Sequence, residues 1–184
     1  MSWIVAKLLD LKVVWHLHLV LQDRQKWLVE LLGKADCINK IISVSNTAKS
    51  VFSASSIDPK IVVLHNWVTP DFFNELRNLS RKKKFTRLKI LVIGRISPEK
   101  GQLSFLNSLE GMNGRLFDIS LAGEFIQDSE FEENFHKRLY SMEKSGFTVR
   151  LLGFVDDVKT VLSRHDFLIL PSKVPEALPL SVIE

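Results

Sequence analysis

The sequence predicts an α/β fold of parallel sheets arranged in two successive sets. Three observations carry this. Short, continuously apolar runs alternate with stretches of helical spacing along most of the chain, the pattern of strands joined by crossover helices. In the second half those runs close on Gly94, Gly123, Gly153 and Pro171, residues that end strands. Between the halves lies a basic stretch, residues 78–87, with Arg81-Lys-Lys-Lys84 inside it and no hydrophobic period. That stretch reads as a linker.

The elements follow in order. The start is apolar but interrupted by Lys7, Asp10, Lys12, His16 and His18, so it reads as a helix and then a strand over residues 11–21. Trp27, Leu28, Leu31 and Leu32 give residues 22–34 a helical spacing. Residues 40–44 form a short buried strand. Ser45 or Asn46 then caps a helix running to about residue 54. Asp58-Pro59 breaks the chain, and residues 61–64 make a further strand before the turn Asn66-Trp-Val-Thr-Pro70.

The second series begins with a strand at residues 88–93 and a helix at 100–109. Strands at 117–122, 147–152 and 167–170 follow, with a short helix at 158–163. Phe131, Phe135, Leu139 and Met142 form one apolar stripe of a longer helix, supported by Glu133 and Lys137 at i,i+4. All these strands are apolar enough to be covered on both faces.

Composition narrows the class. With 184 residues and 46% hydrophobic content the chain can bury a core, as one domain or two incomplete ones. Residues 1–88 hold 14 Lys+Arg against 7 Asp+Glu, and residues 89–184 hold 11 against 14. The basic half suits anionic lipid, a phosphorylated acceptor or simply a solvated face. No aromatic stacking platform accompanies the basic run, which argues against nucleic acid. Cys37 is the only cysteine, so no intrachain disulfide exists and a reducing, cytoplasmic compartment is expected. The first ten residues show neither a cationic n-region nor a small-residue cleavage site, and the uncharged apolar runs in this sequence fall short of the ~20 residues of a membrane span.

Two segments carry chemistry. In Gly94-Arg-Ile-Ser-Pro-Glu-Lys-Gly101, Gly94 allows a tight turn, Arg95 offers a planar fork for phosphate oxygens, and Lys100 adds a point charge where the next helix starts. The free N–H groups of that helix favour an anion further. The order Lys100-Gly101 does not match a P-loop, and two glycines do not make a dinucleotide fingerprint. In Glu176-Ala-Leu-Pro-Leu-Ser-Val-Ile-Glu184, two carboxylates stand eight positions apart around a helix entry near Ser181. Glu176 can accept hydrogen bonds from a sugar, and Glu184 can clasp a ribose diol. Ligands of parallel sheets bind beyond the carboxyl ends of the strands, where both segments fall.

Together these segments resemble the paired signatures of retaining glycosyltransferases of the GT-B fold, of the large family 4 (group 1) type. Leu152-Gly-Phe-Val-Asp-Asp157 and Asp166-Phe-Leu-Ile-Leu-Pro-Ser172 support the resemblance. Ile42-Ser-Val-Ser45 and Val63-Leu-His-Asn66 fit it more loosely. The resemblance implies two Rossmann-like domains, both incomplete in this chain. Residues 1–77 would be the later part of an acceptor domain, 78–87 a linker, and 88–184 a nucleotide-sugar donor domain lacking its C-terminal end, with the active site between the domains.

Carried over, Arg95 and Lys100 would bind the donor diphosphate and stabilise it as it leaves. Gly94 would line the site, Glu176 would contact the donor sugar, and Glu184 would hold the ribose. Backbone N–H groups near Leu178 and Leu180 would assist. No metal or other cofactor is implied, because positive side chains and helix dipoles replace it. Trp15-His-Leu-His18 resembles the stretch that carries an active-site histidine, and His18 is the acceptor-side candidate, with His16 alternating away from it. His65 and His165 read as structural.

The resulting expectation is a sugar transferase acting on a glycan or lipid-linked acceptor at the cytoplasmic membrane face, with peripheral contact to anionic lipid. Residues 1–184 alone are expected to show little or no activity. The alternative is a non-catalytic nucleotide-binding or interaction module on the same scaffold.

Overall fold

A computed structural model describes residues 2–67, 86–126 and 128–179. The greater part of the basic linker and the end of the chain, with Leu180, the predicted helix entry near Ser181 and Glu184, lies outside the described residues. The chain divides into two compact units. Of the described residues, 2–67 and 175–179 form the first, and 86–126 and 128–174 form the second.

In the first unit the order is α1 (Ser2–Leu8), β1 (Val13–Leu17), α2 (Asp23–Gly33), β2 (Ile38–Ser43), α3 (Asn46–Ser50) and β3 (Ile61–Val63). The strands form a parallel sheet in the order β1-β2-β3. Ile38, Ile41, Phe52, Ile57 and Ile61 make its core, each no more than 3% exposed. Gly33 closes α2 against that core, with Ile41 and Ile57 within 3.3 Å of where a Cβ would stand.

Three readings are corrected here. First, β1 is five residues, not eleven, because its partner β2 supplies backbone for only six. Secondly, α3 stops at Ser50, short of residue 54. The Ser45 hydroxyl caps it by accepting from the amide of Ala48 at 3.1 Å, but the Ser50 hydroxyl donates back to the carbonyl of Thr47 at 2.9 Å. Such local bonding competes with helix propagation. Thirdly, the predicted stripe of α2 is not its buried one. Trp27, Leu28 and Leu31 are exposed, and Val29 packs on the core instead.

The second unit runs β4 (Leu88–Ile93), α4 (Gln102–Ser108), β5 (Phe117–Ala122), α5 (Ser129–Lys144), β6 (Thr148–Gly153), α6 (Val158–Ser163) and β7 (Phe167–Ile169). All four strands are parallel, in the order β6-β5-β4-β7. The chain therefore steps from β4 through β5 to β6, then returns to the other side of β4. That reversal opens a crevice at the carboxyl ends of β4 and β7, the place where open α/β sheets bind ligands.

One sheet face is packed by α4 and α5. Ile90, Val92, Ile119 and Leu121 meet Leu106, Phe135 and Met142, all 6% exposed or less. Phe125 stands edge-on to Phe135 at 5.2 Å between centroids. Asp128 caps α5 by accepting from the amide of Phe131 at 3.1 Å, and Glu133 pairs with Lys137 at 2.6 Å as the spacing predicts. On the other face His165 lies over Ser120: one ring nitrogen is 2.7 Å from the carbonyl of Val161, the other 2.9 Å from the Ser120 hydroxyl. That is a structural role.

Not every strand is covered on both sides. Among the described residues β6 has one neighbouring strand, and Arg150, Leu151 and Leu152 are exposed. Its edge position overrides its apolar sequence. Arg150 forms an ion pair with Asp118 of β5. Among the described residues no helix is long and apolar enough to cross a membrane.

Candidate active site

In the second unit the segment after β4 is shaped by close backbone approach. Gly94 has φ +138°, and its amide donates to the carbonyl of Ala122 at 2.9 Å. Gly123, at the end of β5, has φ +147°, and a Cβ there would lie 2.1 Å from the Gly94 carbonyl oxygen. Only glycine lets the two strand ends meet this closely. The amide of Ile96 then donates to the carbonyl of Glu124 at 2.8 Å, and that of Ile126 to the carbonyl of Ile96 at 3.2 Å. The loop is thus laced to its neighbour rather than hanging free.

Its other end is fixed from β7. Gly101 is the N-cap of α4 with φ +72°, and a Cβ there would lie 2.0 Å from the carbonyl oxygen of Pro171. The amide of Lys173 donates to the carbonyl of Glu99 at 2.8 Å. Residues 94–101 therefore span the crevice between the ends of β4 and β7. Arg95 projects from this span with an exposed side chain, and Lys100 is half-buried just before α4.

Three residues that the sequence reading passed over organise the loop. Ser97 is 4% exposed and its hydroxyl accepts from the amide of Lys100 at 3.4 Å. Gln102 is 2% exposed and bonds back to the loop. Glu99 has its carboxyl held below the usual glutamate range, first by the Ser97 hydroxyl, then by its own backbone N–H, with smaller help from Arg95 and Lys100 against slight desolvation. The basic pair therefore has an acidic neighbour. A buried serine, an acid and a buried glutamine within seven residues of the arginine were visible as residues. Nothing in their spacing announced that they face one another.

Beside the loop is a cavity of about 180 Å³, lined by Gly94, Arg95, Gly123, Glu124, Phe154 and Val158 among others. Phe154 is 71% exposed and presents a ring at its edge. A mostly apolar hollow with one cation and one exposed ring suits a flat, partly apolar group joined to an anion.

The remaining described candidates belong to the first unit. Ala177 is buried against Val44 and Ala48, with Leu178 packed on the same cluster. The Asn66 side-chain amide donates to the carbonyl of Leu178 at 3.3 Å. Glu176, half-buried, precedes this anchored pair. Asn66 holds a segment 112 positions away, which no local pattern could reveal.

His18 is exposed just past β1. Its Nε2 lies 3.1 Å from Nδ1 of His16, and the two rings are 4.1 Å apart. The expectation that His16 alternates away is corrected, because residues two apart on a strand share a face. His65, as expected, is structural: its Nδ1 is 3.0 Å from the carbonyl of Val44.

Two parallel Rossmann-like sheets of three and four strands, with a glycine-shaped loop at a topological switch point, define a partial GT-B fold. The chain belongs to the family of glycosyl transferases group 1, whose model matches residues 87–184. It is 28% identical over 177 residues to a UDP-Gal:alpha-D-GlcNAc-diphosphoundecaprenol alpha-1,3-galactosyltransferase of Escherichia coli, covering 86% of this chain and 42% of that protein. Solved structures share the fold. Anabaena Alr3699/HepE in complex with UDP and glucose superposes with a TM-score of 0.75 at 18% identity, over 95% of this chain and 50% of that one. A glycosyltransferase from Rickettsia africae gives 0.69 at 19% identity, over 96% and 49%. The chain thus spans half or less of the length of these relatives.

Proposed function

We propose that the protein acts, as part of a whole GT-B enzyme, in transferring a sugar from a nucleoside-diphosphate sugar to a glycan or lipid-linked acceptor. The observation that carries this reading is the fixed loop of residues 94–101, bridging the switch-point crevice with Arg95 and Lys100 on it, in a chain of this family. In this reading residues 88–184 bind the donor and residues 1–77 belong to the acceptor side. Arg95 and Lys100 neutralise the diphosphate, and the cavity edged by Phe154 takes the base. Glu176 contacts the sugar, with the backbone at Leu178 and Leu180 beside it, while Glu184 holds the ribose and His18 faces the acceptor.

Transfer proceeds with retention, as a type 4 enzyme of this group. The bond from the anomeric carbon to the diphosphate breaks, the acceptor oxygen attacks the same face, and the acceptor's proton leaves with the departing phosphate oxygen. Two cations supply the charge stabilisation that a metal would otherwise provide, so chelator should not change the rate. The E. coli relative is named for UDP-galactose and a diphosphoundecaprenol acceptor, which makes that pair the first to assay. A product anomer opposite to the donor's would overturn retention.

Residues 1–184 alone are proposed to be nearly inactive, given that they span half or less of the relatives' lengths. Glu176→Ala in the longer enzyme separates catalysis from a bare binding module: turnover should fall while nucleotide affinity persists. The proposed location is the cytoplasmic face of a membrane. The exposed Trp27, Leu28 and Leu31 of α2, close in sequence to Arg24 and Lys26, favour peripheral contact with anionic lipid. Cosedimentation with phosphatidylglycerol vesicles but not phosphatidylcholine vesicles tests it, and equal failure with both would remove the membrane from the proposal.

A further inference from the structure

Gln102 opens α4, yet its side chain is buried and turned back across the loop instead of out to solvent. Its Nε2 donates to the carbonyl oxygen of Arg95 at 2.8 Å and to that of Gly94 at 3.4 Å. Its Oε1 accepts from the amide of Ser97 at 3.4 Å. Both ends of one buried amide are therefore spent on the residues flanking and including the exposed arginine. A buried amide with every bond directed at one loop specifies that loop's conformation, because each group left unpaired would carry a desolvation cost.

The consequence is electrostatic as well as structural. Carbonyl oxygens carry partial negative charge, and two of them turned toward a diphosphate would oppose its binding. The glutamine takes both from the helix side. We infer that Gln102 is a positioning residue that sets affinity for the donor diphosphate without touching it. It draws the Gly94 and Arg95 carbonyls inward, so that the Arg95 cation dominates the field at the sheet's carboxyl edge. This inference rests on the donor-site reading above.

The test uses the purified chain, with Gln102→Met keeping the length and removing the hydrogen bonds, and Gln102→Glu keeping the shape and replacing the donor by an acceptor. Titration calorimetry compares UDP with uridine, or whichever of UDP, GDP and ADP binds the wild type tightest with its own nucleoside. The expected result is a diphosphate Kd raised about tenfold in Q102M and further in Q102E, as for loss of a buried hydrogen bond, with nucleoside affinity within about twofold of wild type. If Q102E does not fold, Q102M alone decides. Equal weakening of diphosphate and nucleoside would reduce Gln102 to a packing role and overturn the inference. So would an unchanged diphosphate Kd in Q102M. A wild type that binds none of the three diphosphates would overturn the donor-site reading itself, and the inference with it.

Discussion

At the residue scale the loop after β4 works by division of labour. Arg95 carries the exposed charge, Gly94 and Gly123 permit the backbone approach that places it, and Ser97 and Gln102 occupy the loop's polar interior. Arg95→Ala should therefore cost diphosphate affinity, read by calorimetry, while leaving the melting temperature almost unchanged, because its side chain is exposed. Ser97→Ala tests the other half. Its hydroxyl is the first cause of the lowered Glu99 pKa, so the variant should raise that pKa toward the ordinary glutamate range, as seen by NMR titration of the side chain. The sign follows from linkage: a depressed carboxyl stabilises the folded state above the ordinary glutamate range, and this is lost as pH falls through the lowered pKa. An unmoved Glu99 titration would show that the serine serves only Lys100.

At the element scale, legibility tracked local punctuation. β4, β5 and α6 begin and end where the sequence predicts, since Gly94, Gly123 and the cap Asp157 mark them. The Phe131-Phe135-Leu139-Met142 stripe is equally faithful, with Phe135 and Met142 buried and the other two packed on the same core. Phe135→Ala should lower unfolding free energy by about 3–5 kcal/mol, measurable as a shift in denaturant midpoint. What sequence could not show was the work of distant partners. The exposure of β6 goes with its single neighbouring strand among the described residues, and the turning of Asn66 depends on Leu178, 112 positions away; Gln102 turns to nearer residues, five to eight positions back, that only the folded loop brings to it. Their residue types are unremarkable on a helix or in a turn. Gly101 joins the two levels: Gly101→Ala faces both a left-handed φ and the Pro171 carbonyl. It should destabilise the second unit and weaken diphosphate binding together, unlike Q102M. A variant of normal stability and affinity would contradict the described packing.

At the scale of the whole molecule, the two units share an α/β plan but present different surfaces: a basic first half with exposed apolar side chains on α2, and a second unit whose cavity lies at the ends of β4 and β5 and beside the segment that follows β6. A nucleoside diphosphate at a hundredfold its Kd should stabilise the chain by about 2.7 kcal/mol, and this is checked by repeating the denaturant titration with ligand. The strand order then bears on how the protein assembles. β5 and β6 follow β4 through successive local crossovers, but β7 returns to β4 across a long interval, with Lys89 and Asp166 bonded over 77 positions. Closing so large a loop is slow relative to pairing neighbours in sequence. The crevice edge bounded by Pro171 and Gly101 is therefore expected to be the last part of the sheet to close during folding, and a ligand that bridges it should act as a clasp on that final step, slowing unfolding more than it speeds folding when both rates are measured by stopped flow with and without a nucleoside diphosphate.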